Sequence, residues 1–181
     1  MRFLARMVTS DILPAEYRAG IYRDLLYAAT RYGSGLVGDA ERAAARGREP
    51  SAAPWSMEVY HAVAALVPEL IARWSVEPPR IRLMLAALAA LVPGAGLTIE
   101  DRIAEMRRLH GGTDVAALLE LTAVLIAQDD QHAEQAADAL VAGVRVLDVH
   151  GLNAPGLAIS IRASELLFDA ALRIGAPQSQ F

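Results

Sequence analysis

The densest group of potential metal ligands in the chain is an acidic run, Asp129-Asp130-Gln131-His132-Ala133-Glu134. Carboxylate oxygens and an imidazole nitrogen could together bind a divalent cation. His132 and Glu134 are only two residues apart, however, and side chains with that spacing do not share a face of a helix. Asp129 and Asp130 stand where a helix is expected to begin, so we interpret them as helix caps. The sequence predicts no metal site here.

The remaining candidates for chemistry also lack the spacing that a reaction would require. No two histidines are four residues apart, which is the helical spacing of a zinc site. None of the serines lies in a nucleophile-elbow motif. The glycine turns at 33–35 and 94–96 follow no predicted strand, whereas a phosphate-binding loop needs one. We therefore predict no catalytic residue and no cofactor, and the sequence favours a role other than catalysis.

Length and hydrophobicity indicate a single soluble domain. The 181 residues suffice for one ordinary core, and 54% of them are hydrophobic. The longest uncharged stretch, 83–99, is interrupted by Pro93 and Gly94, whereas a membrane-spanning helix needs about 20 apolar residues in a row. We expect this stretch to form a buried core helix followed by a turn, and we expect no membrane association.

Charge and residue usage favour a cytoplasmic protein. The net charge of −4 argues against a general nucleic-acid binder, which gains affinity by neutralising phosphates. All 17 basic residues are arginine, as expected for a bacterial coding sequence rich in G and C. The absence of cysteine excludes disulfides and suits a reducing cytoplasm. The apolar run near the first residue is too short for a signal peptide.

Apolar residues recur at spacings of three and four almost throughout, and alternation with a period of two is essentially absent, so the predicted fold class is all-α. Pro68 falls inside one predicted helix and should kink or end it. The chain ends, 1–13 and 176–181, are expected to be poorly ordered. Helices are predicted over 14–32, 36–47, 55–74, 79–92, 98–110, 113–127, 131–148 and 157–174.

The pentapeptide Ala-Ala-Leu-Val-Pro occurs twice, at 64–68 and at 89–93. Between the two copies lies a charged corner broken by two prolines, residues 77–82, with the sequence Glu-Pro-Pro-Arg-Ile-Arg. We interpret this arrangement as two apolar helices that fold back on each other. Helix pairs with such short connections are antiparallel neighbours.

The segment from 59 to 93 resembles a HEAT repeat. Pro68 matches the proline bend of the first helix in that family, and Ile81-Arg82 takes the Val-Arg places of the turn. Leu85 and Leu88 depart from the pattern, because the family usually has small alanines there. Elsewhere the resemblance is confined to the layout and to the aliphatic-arginine pairs Ile161-Arg162 and Val144-Arg145.

The resemblance implies antiparallel helix pairs stacked as a short, right-handed HEAT-like superhelix over a single domain, 1–181. The alternative fold is an irregular helical bundle. The chain is either a complete domain or a fragment of a longer solenoid. If the apolar face of the last predicted helix is exposed, it would pair with another copy of the chain.

The corner and the helix before it supply the residues that we predict to bind a partner. Tryptophan and arginine are enriched among the residues that dominate binding energy. The alternative interpretation is structural, with Trp74 in the core and Arg82 paired with an acidic side chain of an adjacent repeat. The predicted partner-binding residues are Trp55, Trp74, Arg73, Arg80 and Arg82.

HEAT-like proteins are mostly scaffolds for protein partners, so the resemblance implies a non-catalytic protein-interaction module. A minority act as DNA glycosylases on alkylated bases or bind nucleic acid, which is the alternative that the acidic charge disfavours. A helical domain that binds a small molecule between its helices is a second alternative. The residues alone do not decide among these functions.

Overall fold

The structure, a computed structural model, describes residues 2–10, 12–31, 43–49, 54–92, 94–143 and 159–175. These residues form α-helices and no strand, so the predicted all-α class is confirmed for this part of the chain. A short 3₁₀ helix, Ala95–Ile99, precedes the sixth α-helix. The α-helices are α1 Arg2–Thr9, α2 Ala15–Arg31, α3 Pro54–Ala64, α4 Val67–Ala72, α5 Pro79–Ala90, α6 Glu100–Leu109, α7 Asp114–Ile126, α8 Asp130–Gly143 and α9 Ile159–Gly175.

Helix α5 lies at the centre of the fold. It packs against α2, α4, α7 and α9, and every residue from Leu83 to Ala89 is buried. The alanines of α5 allow neighbouring backbones to approach, and its leucines fill the space between them. The stretch 83–99 was predicted to contain a buried core helix followed by a turn, and the structure confirms this.

The helix ends confirm some of the predicted signals and contradict others. Pro68 divides the predicted helix 55–74 into α3 and α4 and occupies the first turn of α4, where its missing N–H costs nothing. Asp129 caps α8, since its Oδ1 accepts the His132 N–H at 3.1 Å. Helix α6 begins at Glu100, two residues after the predicted start at 98, and the Thr98 hydroxyl donates backward to the Ala95 carbonyl.

The N-terminal segment contains helix α1. Val8 is fully buried, and α1 contacts both α2 and α4. The expectation that residues 1–13 are poorly ordered stays a prediction. The C-terminal end 176–181 and most of the predicted helix 36–47 lie outside the described residues, as does Val144-Arg145.

The last described helix packs back against a helix near the start of the chain. Helix α9 packs against α7 and α8, which precede it, and also against α5 and α2. In a linear solenoid each repeat contacts only its neighbours. The contact between α9 and α2 is therefore typical of the bundle alternative, and the HEAT-like superhelix is not confirmed. Self-association was expected if the apolar face of the last helix is exposed. Leu166 and Leu167 of α9 are fully buried within the chain, so these two residues do not form such an exposed face.

None of the helices among the described residues has both the length and the apolar character that crossing a lipid bilayer requires.

Gly96 marks a close approach between the 3₁₀ helix and α7. A β-carbon at this position would lie 2.4 to 2.9 Å from side-chain carbons of Ile126, which is too close for van der Waals contact. We expect Gly96→Ala to lower the free energy of unfolding by about 1–3 kcal/mol, because Ile126 is buried and must shift. Chemical denaturation measures the change.

Gly20→Ala is the matched control for this prediction. Gly20 lies inside α2 with nothing within 4 Å of its added β-carbon. The same substitution there should raise stability by about 0.5–1 kcal/mol, because alanine has the higher helix propensity. Equal effects at the two glycines would contradict the close packing of Gly96 on Ile126.

Candidate functional site

Glu77 is a buried carboxylate at the corner between α4 and α5. Its side chain is 0% exposed and lies between two arginines. Arg18 of α2 donates from Nη2 to Glu77 Oε2 at 2.8 Å. Arg73, which follows α4, donates from Nε to Glu77 Oε1 at 3.0 Å. Each carboxylate oxygen therefore accepts from one guanidinium, which offsets the cost of burying the charge.

The same two arginines also bind backbone carbonyls of the N-terminal segment. Arg73 Nη1 donates to the Thr9 carbonyl at 2.7 Å, and Arg18 Nη1 donates to the Leu13 carbonyl. Thr9 ends α1, and Leu13 precedes α2. By binding both guanidinium groups, the Glu77 carboxylate positions them to donate to carbonyls at the end of α1 and just before α2. We refer to Glu77, Arg18 and Arg73, together with the adjacent Tyr22, as the Glu77 cluster.

Arg82 stabilises the turn between α4 and α5. Its Nε donates to the Glu77 carbonyl at 2.7 Å, and its Nη2 donates to the Ser75 carbonyl at 3.1 Å. The structural alternative proposed that Arg82 would pair with an acidic side chain of an adjacent repeat. The structure corrects this, because the acceptors are carbonyls of the preceding turn. Pro78 and Pro79 place α5 so that this arginine reaches back over the turn.

Tyr22 of α2 lies beneath the carboxylate. Its side chain is fully buried, and its hydroxyl lies close to Glu77 without a hydrogen bond of normal geometry to any described residue. Burial, followed by the negative charge of Glu77, raises the pKa of the Tyr22 hydroxyl above its usual value of 10.0. Tyr22 therefore stays neutral wherever the fold is intact under ordinary conditions.

This raised pKa predicts a loss of stability in alkali. The unfolded chain releases the Tyr22 proton near pH 10, whereas the folded protein retains it, so the stability contributed by Tyr22 is complete below pH 10. Above pH 10 the free energy of unfolding should fall, by at most about 1.4 kcal/mol per pH unit for one proton. Urea denaturation at a series of pH values measures the slope.

Tyr22→Phe should remove this part of the slope and change stability little at pH 7, because the hydroxyl makes no normal hydrogen bond. An unchanged slope in the phenylalanine variant would show that Tyr22 is not the group responsible. A large loss at pH 7 would show that the hydroxyl makes a stabilising contact in solution.

The five predicted partner-binding residues differ in their exposure and in their contacts. Trp55, at the start of α3, is 55% exposed, whereas Trp74, beyond the end of α4, is 5% exposed and belongs to the core. Arg73 and Arg82 bind the Glu77 cluster and the corner backbone. Arg80 is half-buried, and its Nε makes no hydrogen bond to any described residue. A partner-binding role for these residues stays a prediction.

Sequence reasoning missed Arg18 and Tyr22. Both lie on α2, four residues apart and therefore on one face, but nothing in the sequence links α2 to a corner 59 residues away. A local signal was present for Arg73 and Glu77, which have the four-residue spacing of a helical ion pair. This ion pair was not predicted, because the sequence pattern places Glu77 in a proline turn and not in a helix with Arg73.

The acidic run at 129–134 contributes to a helix cap. No three of the described histidine, aspartate or glutamate side chains come together as potential metal ligands. His132 Nδ1 lies 2.6 Å from Asp129 Oδ2, and hydrogen bonds from the backbone N–H and the side chain of His132 lower the pKa of the exposed Asp129 carboxyl. This contact completes the cap of α8.

Three exposed apolar side chains surround the Glu77 cluster along the chain. Ile12 precedes Leu13, whose carbonyl accepts from Arg18, and Tyr17 precedes Arg18 itself. Val76 precedes Glu77. Each of the three residues is therefore the immediate chain neighbour of a residue that belongs to the cluster or is bound by it. We call Ile12, Tyr17 and Val76 the apolar rim; they are 89%, 65% and 65% exposed.

Comparisons with known proteins gave no matching family model, no matching curated protein and no matching solved structure.

Proposed function

We propose that this chain is a non-catalytic protein-interaction module and that its contact surface is the apolar rim. The supporting observation is that three large apolar side chains are exposed at positions next in sequence to residues that a buried ion cluster holds. Ile12 is 89% exposed even though its neighbour Leu13 is anchored by Arg18. Covering such side chains with a partner removes apolar surface from water at about 25 cal/mol per Å².

The anchored backbone also favours binding by reducing its entropic cost. A loop that must become ordered on binding loses conformational entropy, whereas a loop that is already held does not. The backbone around Ile12 is held by hydrogen bonds from Arg18 to Leu13 and from Arg73 to Thr9. The Glu77 cluster therefore serves the proposed function indirectly, by presenting the rim in one conformation.

Arg80 supplies the polar part of the proposed surface. It lies four residues after Val76 in the same corner, and its Nε is buried without a hydrogen-bond acceptor among the described residues. Because the half-buried Arg80 side chain carries a positive charge, we propose that the partner presents a carboxylate to it beside its own apolar side chains.

The test is affinity capture with matched surface variants in the cells that produce the protein. The triple variant Ile12→Ser, Tyr17→Ser, Val76→Ser removes the rim, and Leu97→Ser with Leu109→Ser removes two equally exposed leucines elsewhere. We expect one specific partner to be retained by the wild type and by the leucine control but lost by the rim variant. Circular dichroism should show that all three proteins are folded.

Two outcomes would contradict the proposal. Retention of the same partner by the rim variant would place the contact surface elsewhere. Failure of the wild type to retain any partner above a folded control protein would remove the interaction function itself. Within the proposal, Arg80→Met should weaken capture without loss of folding, since no described residue depends on its Nε.

The alternatives of a DNA glycosylase and a small-molecule-binding domain remain predictions. In the glycosylase hypothesis the tryptophans stack near a damaged nucleotide, but Trp74 is in the core. The HEAT-like arrangement also remains a prediction, and the interaction function is independent of it, because the apolar rim is defined by the exposure of three residues next to the Glu77 cluster in sequence.

A further inference from the structure

Helix α1 depends on the rest of the molecule for its existence. It has eight residues, and isolated helices shorter than about 12–15 residues are marginal in water. Among its described side chains only Val8 is fully buried, while Phe3 and Arg6 are exposed. Its helix contacts are with α2 and α4. A helix this short, which needs tertiary contacts to persist, belongs to the low end of the local stability range.

One side chain fastens the end of α1 to a distant part of the chain. Arg73 Nη1 donates to the Thr9 carbonyl at 2.7 Å across 64 residues of sequence. The same guanidinium donates from Nε to Glu77 Oε1, which fixes its orientation. The bond from arginine to the carbonyl is charge-assisted and therefore stronger than a neutral hydrogen bond.

We propose that α1 is a strap that opens and closes on α2 and α4 while the other helices stay folded, and that the bond between Arg73 and Thr9 is its latch. Opening releases Val8 from the core and melts α1, because the helix is too short to persist alone. Closing requires the arginine to be held in place by Glu77.

The latch connects the strap to the corner between α4 and α5. Glu77 accepts from Arg73 through its carboxylate and from Arg82 through its carbonyl. A change in the corner that turns Arg73 away from Thr9 therefore opens the strap. Opening in turn frees one donor of Arg73 for a new acceptor. This device does not depend on the proposed interaction function.

Native-state hydrogen exchange of the full chain at a series of low urea concentrations tests the strap. The last turn of α1 offers a suitable reporter, because the Ser10 N–H donates to the Arg6 carbonyl at 3.0 Å. We expect protection factors in this turn on the order of 100-fold lower than those in α5, with little dependence on urea. Protection factors equal to those of α5, with the same urea dependence, would overturn the proposal.

Two variants separate the strap from global unfolding. Leu85→Ala weakens the core at α5, so it should reduce protection in α5 and leave the α1 turn unchanged. Arg73→Lys keeps a positive charge beside Glu77 but lacks the fork that reaches both acceptors, so it should lower protection in α1 about tenfold. Two results would refute the strap. One is a fall of the protection factors in both α1 and α5 in Leu85→Ala, and the other is a protection factor of the α1 turn in Arg73→Lys that equals the wild-type value.

Discussion

Replacing Glu77 with glutamine is expected to lower the free energy of unfolding by about 3–5 kcal/mol, which is the range for breaking a buried ion pair by removing one partner. The Glu77 side chain has no exposed surface, and both of its oxygens bind guanidinium groups. Glutamine keeps the shape of the side chain but loses the negative charge. Two cations, 12% and 14% exposed, would then face a neutral amide.

Equilibrium urea denaturation measures this effect, and Glu105→Gln is the matched control. Glu105 also binds an arginine, Arg108, at 2.7 Å, but both side chains are exposed. Exposed pairs contribute little to stability because water competes with the partner, so the control should unfold with the wild-type midpoint. Equal midpoints for the Glu77 and Glu105 variants would contradict a structural role of the buried cluster.

The sequence allowed most helices of the described residues to be predicted, with α1 as an exception, but not their assembly. The three-and-four spacing of apolar residues identified the helices, and Pro68 correctly divided one of them. These signals are local. The packing of α9 on α2 involves residues more than a hundred positions apart, and no local pattern specifies which apolar faces meet. For this reason the sequence predicts a packing of the last helix against an early one only through the alternative fold, an irregular helical bundle.

The partner-binding site that the sequence predicts stays untested, and the buried ion cluster beside it was not foreseen. The sequence drew attention to the corner at 77–82, and the structure places a buried ion cluster there. Arg73 was regarded as a surface residue, although it is held by Glu77 and Thr9. Its partners come from α1, α2 and the corner. Only tertiary structure brings these segments together, so neither Arg18 nor Tyr22 could be identified as part of the site beforehand.

Leu85→Ala and Leu88→Ala are each expected to lower the free energy of unfolding by about 2–5 kcal/mol. Both leucines lie on the central helix α5, and their side chains are 0% and 1% exposed. Truncation to alanine removes buried carbon atoms and leaves a cavity, because helices packed on several sides of α5 collapse only in part. Thermal and urea unfolding measure the loss, and Leu109→Ala, on the exposed end of α6, is the control.

This prediction also tests the HEAT resemblance, because alanine is the residue that the family usually has at these two positions. In a stack of helix pairs that matched the family there, alanine would let the paired helices approach and would cost little. In the structure α5 is enclosed by α2, α4, α7 and α9, so the space that the leucines fill remains when they are truncated. Losses below about 1 kcal/mol at both positions would contradict this enclosed helix and favour the open stack, whereas large losses would favour the bundle.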